Sequence, residues 1–222
     1  RAEPKNATPV ASDSRFNAVV AFDGSGTHTK VQEAVNAVPD SNTNWFNILV
    51  KPGVYEGQVI IPKNKRFIRL IGEDWATTAL IWPYNVNDRK PNQPYQFDPG
   101  FVVVGDDFYA ENLTFENTSG DHGQALAVRV DNDRTVFDNC RLLGWQDTLM
   151  VNNGRHYFTN CYIEGRVDFI YGSATAVFDH CTIHSKNGGY ITAASTPAEQ
   201  QFGFVFLRCK LTGDPTPWRI PA

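Results

Sequence analysis

Two aspartates stand in apolar, strand-like surroundings: Asp147 in GWQDTLM and Asp168 in GRVDFIYG, 21 residues apart. Carboxyl groups brought together cannot both ionise freely, and such a pair titrates jointly with separated apparent pKa values. The ionised member can then serve as nucleophile or base while its protonated neighbour acts as an acid. Gln146 adjoins Asp147, and Gln124 precedes Gln146 by nearly the same interval that separates the aspartates. Glutamine amides are neutral hydrogen-bond donors suited to a developing oxyanion. A single Asp in such a setting more often closes a turn, so the chemistry depends on all four residues meeting. That requires a fold in which residues about 21 apart become neighbours.

The chain repeats at about that interval. TFENTS, VFDNCRLLG, YFTNCYIEG, VFDHCTIHS and VFLRCKLTG align Phe115, Phe137, Phe158, Phe178 and Phe206, at spacings of 22, 21, 20 and 28. Cys140, Cys161, Cys181 and Cys209 keep step, with Thr118 in the corresponding place of the first unit. Units of this length, broken by Gly, Asn and Asp and lacking a helical period, are too short for propeller blades and fit single rungs of a parallel β-coil. An antiparallel sandwich is the competing architecture, but matched Phe and Cys columns favour stacked, equivalent environments. In a parallel coil, residues one period apart lie about 4.8 Å apart in adjacent rungs. Asp147 and Asp168 each follow a cysteine of the column by the same short step, so their carboxyl groups are expected side by side. Gln124 and Gln146 are expected at the same patch, amid Trp145, Leu149, Phe169, Ile170 and Tyr171.

Upstream, THTKVQEAVNAVP reads as a short helix with Val31, Ala34, Val35 and Val38 on one face. Thr29 and Gln32 form a capping-box pattern and Pro39 stops the helix. Such a helix suits the open N-terminal end of a coil. DGSG reads as a turn, WFNILVKPGVYEGQVII and RFIRLIG as the first rungs, and residues 82–100 as a surface excursion. The expectation is one domain over residues 1–222, with no linker.

Composition narrows the classes of function. A chain 41% hydrophobic and 20% charged is that of an ordinary globular protein, and no apolar run approaches a membrane span. A net charge of −4 argues against nucleic acid as partner. His122, His156, His180 and His184 lack zinc-like spacing with the cysteines, Asp131 and Asp133 form an isolated pair, and no G-x-S-x-G elbow occurs. The four cysteines read as structural; in a secreted protein Cys161 and Cys181 would fall within disulfide reach. Sequons at Asn6, Asn112 and Asn117 carry little weight. RAEPKNATPVASDS, which lacks an initiator Met, looks like a mature N-terminus after signal removal or simply a cut boundary.

FDGSGTHTKVQEAVNAVP, KPGVYEGQVIIPKN, LIGED, GQALAVRV, GWQDTL and GRVDFIYG occur in this order. In these stretches the chain resembles the pectin methylesterases, carbohydrate esterases that demethylate pectin. The resemblance implies an all-β, right-handed parallel β-helix and a secreted enzyme acting on pectin without a cofactor; a monomer is the default expectation. It implies that Asp168 is the nucleophile, that Asp147 is the acid and then the base, and that Gln124 and Gln146 stabilise the oxyanion. Trp145, Phe169 and Tyr171 become candidates for the sugar-binding surface, though each could equally be rung packing. Met150 stands where the family often has an aromatic, which puts sugar stacking there in doubt.

The family's LGRPW motif, whose arginine holds the nucleophile and whose tryptophan lines the groove, is absent. The nearest string, TPWRIPA, has Thr216 before Pro217 and Trp218, and Arg219 is not assigned the role. The expectation is therefore a chain incomplete at its C-terminus, with impaired chemistry in these 222 residues alone. Competing functions are a related esterase or thioesterase using the same pair, or a non-catalytic polysaccharide-binding β-helix. A pectate lyase would need a calcium cluster and a basic catalytic residue, and neither is visible.

Overall fold

Short runs of β-branched and aromatic residues separated by Asn, Asp and Gly are too brief for long hairpins, and they form short strands such as Ala18–Val20, Phe46–Val50 and Arg155–Thr159. The computed structural model describes residues 15–88 and 99–215. Among them each full circuit of the chain adds one strand to each of three sheets, and every strand inside a sheet pairs in parallel with strands from the preceding and following circuits. Sheet 1 has eight strands, from Ala18–Val20 to Phe204–Leu207; sheet 2 has seven, from Gly53–Glu56 to Lys210–Gly213. Sheet 3 holds Val59–Ile61, Phe101–Val103, Val128–Val130, Leu149–Val151, Ile170–Gly172 and Thr192–Ala194. This is the expected parallel β-helix.

Alternate residues of each strand point inward and stack as columns. Phe137, Phe158, Phe178 and Phe206 follow one another in register, their successive ring centroids 5.2, 4.8 and 4.8 Å apart and their planes nearly parallel. Phe115 does not belong to this column. It lies in sheet 2 opposite Leu142, whereas Ala110 stands opposite Phe137, so the first interval of the column begins at Ala110 and is longer than the phenylalanine alignment implies. Leu113, rather than Thr118, precedes the strand at the place of Cys140. The cause is a longer turn in that circuit, which shifts the apparent motif by one sheet. Cys140, Cys161 and Cys181 are buried, and all four cysteines are free thiols.

The helix spans Val31–Asn36, and Val31, Ala34, Val35 and Val38 are buried against the coil. Lys30, not Thr29, is its N-cap, without a side-chain cap; Thr29 instead reaches Glu33 at 3.5 Å. Gln32 is drawn to the sheet: its Oε1 accepts from the Ile60 amide at 2.7 Å and its Nε2 donates to the Ile60 carbonyl at 3.1 Å. Ile60 lies on the edge strand of sheet 3, so the amide closes hydrogen bonds that this edge would otherwise leave open. Residues 46–61 make the first full circuit, and the unanticipated strand Ala18–Val20 precedes it in sheet 1. Of the expected surface excursion, Val86–Asp88 forms a 3-10 turn and residues 89–98 lie outside the described part.

At the corner between sheets 3 and 1, Asp107 binds Arg66 and Arg134 at 2.8 and 2.6 Å, and Asp133 binds Arg134 and Arg155 at 2.7 and 2.6 Å. This chain of ion pairs runs across successive circuits. Asn117 is buried and donates to the Tyr84 and Leu126 carbonyls, so its sequon is occupied by packing; Asn6 lies outside the described residues.

Candidate active site

The corners leading from sheet 2 into sheet 3 carry the site. Here the chain turns through a left-handed residue, and in two consecutive circuits that residue is an aspartate: Asp147 has φ 65° and Asp168 φ 49°. Aspartate tolerates this conformation better than most side chains because its short polar group bonds locally. The Asp147 amide donates to the Val167 carbonyl at 3.1 Å, and Gln146 bridges Val167 in parallel register. The two aspartates are thus in step on adjacent rungs, as their spacing predicts. Gln124 bridges Gln146, so the two glutamines share the neighbouring column rather than that of the aspartates.

Burial separates the two carboxyl groups. Asp147 is 4% exposed and its pKa is pushed up to about 6, first by burial and then by the charge of Asp168. A hydrogen bond from Gln124 Nε2 to Asp147 Oδ2, 2.9 Å long, opposes that shift. Asp168 is half-buried, and no described residue hydrogen-bonds to its carboxylate. Gln146 is half-buried, and its amide makes no hydrogen bond to a described residue. Gln124 still has a second N–H on the nitrogen that holds Asp147. One circuit therefore presents an acid, and the next an open carboxylate, flanked by two amides.

The aromatic candidates divide. Trp145 is half-buried, with Lys186 Nζ 3.8 Å from its ring centre and Lys186 itself paired to Glu164 at 2.9 Å. Met150 and Tyr171 face outward from sheet 3 in one column, with Arg129 a rung before them. Phe169 corrects the expectation: it is fully buried in the core, as are Leu149 and Ile170, so it packs the rung and offers no face to a sugar. Sequence reasoning passed over Arg129, whose Nε lies 2.6 Å from Asp131 Oδ2. Its signal is an outward charged residue in VRV, one period before Met150. Arg166 was also missed; it reaches Asp121 at 3.2 Å and ties the turn before Asp168 to the loop before Gln124. No group of metal-ligating side chains occurs among the described residues. Thr216, Pro217, Trp218 and Arg219 lie outside them.

A pectinesterase family model matches residues 17–219. Pectinesterase 31 of Arabidopsis thaliana is 46% identical over 204 residues, 88% of this chain and 64% of that protein. The solved pectin methylesterase from carrot matches with a TM-score of 0.85 at 35% identity, over 92% of this chain and 66% of its own. A pectin methylesterase crystallised in complex with a hexasaccharide matches with a TM-score of 0.81 at 28% identity, over 90% of this chain and 67% of its own. The chain spans 64% of the length of the Arabidopsis relative.

Proposed function

This chain belongs to the pectinesterase family, and from that premise we propose that it hydrolyses the methyl esters of pectin at the Asp147–Asp168 corner. Methanol and free galacturonate carboxylates are the products. The observation that carries this reading is the unequal carboxyl pair on adjacent rungs, with Asp147 pushed up to about 6 by burial and Asp168 left open.

Asp168 is assigned the nucleophile. Its oxygen attacks the ester carbonyl carbon, and the π electrons move onto the carbonyl oxygen. Gln146 and the second N–H of Gln124 are donors for that oxyanion. As the tetrahedral centre collapses, the bond to methoxide breaks and the proton of Asp147 passes to the leaving oxygen. An anhydride joins Asp168 to the sugar acid. Water then attacks it, Asp147 takes the water's proton, and Asp168 departs as carboxylate. Trp145, Met150 and Tyr171 border this corner and are the surface on which the sugars rest. A pectin substrate places the enzyme outside the cell; among the described residues no helix is long and apolar enough to cross a membrane.

The test is methanol release from highly methylated pectin by wild type, Asp168→Asn and Asp147→Asn. Asparagine keeps the left-handed corner, so lost activity reports chemistry rather than folding. We expect Asp168→Asn to reduce release by about a thousandfold or more. Release at the wild-type rate would remove Asp168 from the nucleophile's role.

A further inference from the structure

Tyr171 stands just beyond Asp168, facing outward from sheet 3 in register with Met150. Its ring is half-buried, yet its hydroxyl is fully buried and has no hydrogen-bond partner among the described residues. An unpaired buried donor costs about 1–3 kcal/mol. A fold that retains one at the edge of a reactive corner has a hydrogen bond still to make there. Asp147 is the carboxylate whose charge acts most on this hydroxyl, and it has an acceptor to spare: Gln124 holds its Oδ2, and no described residue donates to its Oδ1. Burial first, then the charge of Asp147, keeps the phenol protonated, so it is a donor at every pH the enzyme meets.

We propose that Tyr171 is a positioning residue whose hydroxyl is held for the Asp147 carboxylate in its ionised state. This rests on the assignment of Asp147 as acid and base. When Asp147 gives its proton to the leaving methanol oxygen, a charge appears on a buried group until water restores the proton. Gln124 then stabilises one oxygen of that carboxylate and Tyr171 the other. In the resting structure no hydrogen bond joins Tyr171 to Asp147; the contact closes when Asp147 ionises, with or without substrate. Other charged groups act on the pair from neighbouring rungs. Asp168 opposes ionisation of Asp147; around Tyr171, Asp131 acts in the same sense as Asp147, and Arg129 opposes both.

The decisive measurement is a carboxyl-carbon NMR titration of Asp147 in wild type and in Tyr171→Phe, which needs no turnover. The phenylalanine variant should raise the midpoint from about 6 by roughly half a pH unit to one unit, a threefold to tenfold change in proton affinity. Its kcat on methylated pectin should fall about tenfold with KM little changed, and its thermal stability should hold or rise because an unpaired hydroxyl is gone. Replacing Tyr171 by 3-fluorotyrosine keeps the ring and strengthens the donor, and should lower the midpoint. It decides the matter where the phenylalanine variant folds poorly. A midpoint unmoved in the variants that fold overturns the proposal, even if methanol is released. A midpoint that moves in a protein inactive on pectin leaves the Tyr171–Asp147 link standing and sinks the functional assignment instead.

Discussion

When Asp147 ionises it becomes a charge in a place that is 4% exposed, with Asp168 on the next rung. That has a consequence for folding as well as for chemistry. Its pKa is about 6 in the native chain against an ordinary 3.8, so between those values the native state binds more protons than the unfolded one. Stability therefore falls as pH rises through that window and stays lower above it. Asp147→Asn removes the charge, keeps an acceptor for Gln124 and suits the left-handed backbone. It should be more stable than wild type at pH 7 by on the order of 2 kcal/mol, a gain that disappears below about pH 4. Urea unfolding at several pH values checks this; an equal gain at every pH would mean that packing, not ionisation, is responsible. The carboxyl pair was legible in the sequence because the step from Asp147 to Asp168 equals one circuit. Phe169 was not. Strand alternation would place it opposite Ile170, but the left-handed Asp168 interrupts the alternation at the corner, and both side chains turn inward.

At the scale of elements, the corner is held by how closely successive turns approach. A Cβ added to Gly165 would stand 2.2 Å from Phe169 Cβ and 2.7 Å from the Trp145 carbonyl oxygen, and both are fixed parts of the rungs. Gly165→Ala must displace the segment that carries Asp168. We expect a loss of about 2–4 kcal/mol in stability and a fall in methanol release greater than the unfolded fraction explains. Denaturant titration beside activity at room temperature separates the two, and a rate loss matching the unfolded fraction would show that the corner itself does not shift. The opposite corner, from sheet 1 into sheet 2, also turns through left-handed residues: Asn112, Asn139, Asn160, His180 and Arg208. ENLTF, DNCRL and TNCYI carry this column in plain view. Aligning on asparagine rather than phenylalanine would have phased the first rung correctly, because Asn112 stands in register with Asn139, whereas Phe115 belongs to the column of Leu142.

Across the whole molecule, stability is a sum over stacked neighbours. Phe158 is fully buried between Phe137 and Phe178, with no alternative partner should either rung loosen. Phe158→Ala should cost about 3–5 kcal/mol, and hydrogen exchange should show protection falling in the circuits on both sides of it. Loss confined to its own strand would contradict a coupled stack. This architecture was legible from the repeat, whereas Gln32 as a seal on the edge strand was not, since Ile60 is remote from it in the chain and no local pattern links them. The unequal circuits have a further meaning. The aspartate pair is separated by a circuit with no surplus, while the preceding circuit spends its extra length just before Gln124, at 118–123, and the circuit after the pair spends most of its own at 195–203. Both surpluses flank sheet 3, one on each side of its outward face. Either loop can therefore lengthen or change composition, and so reshape the margins of that face, while the distance between Asp147 and Asp168 stays locked by the rung spacing beneath.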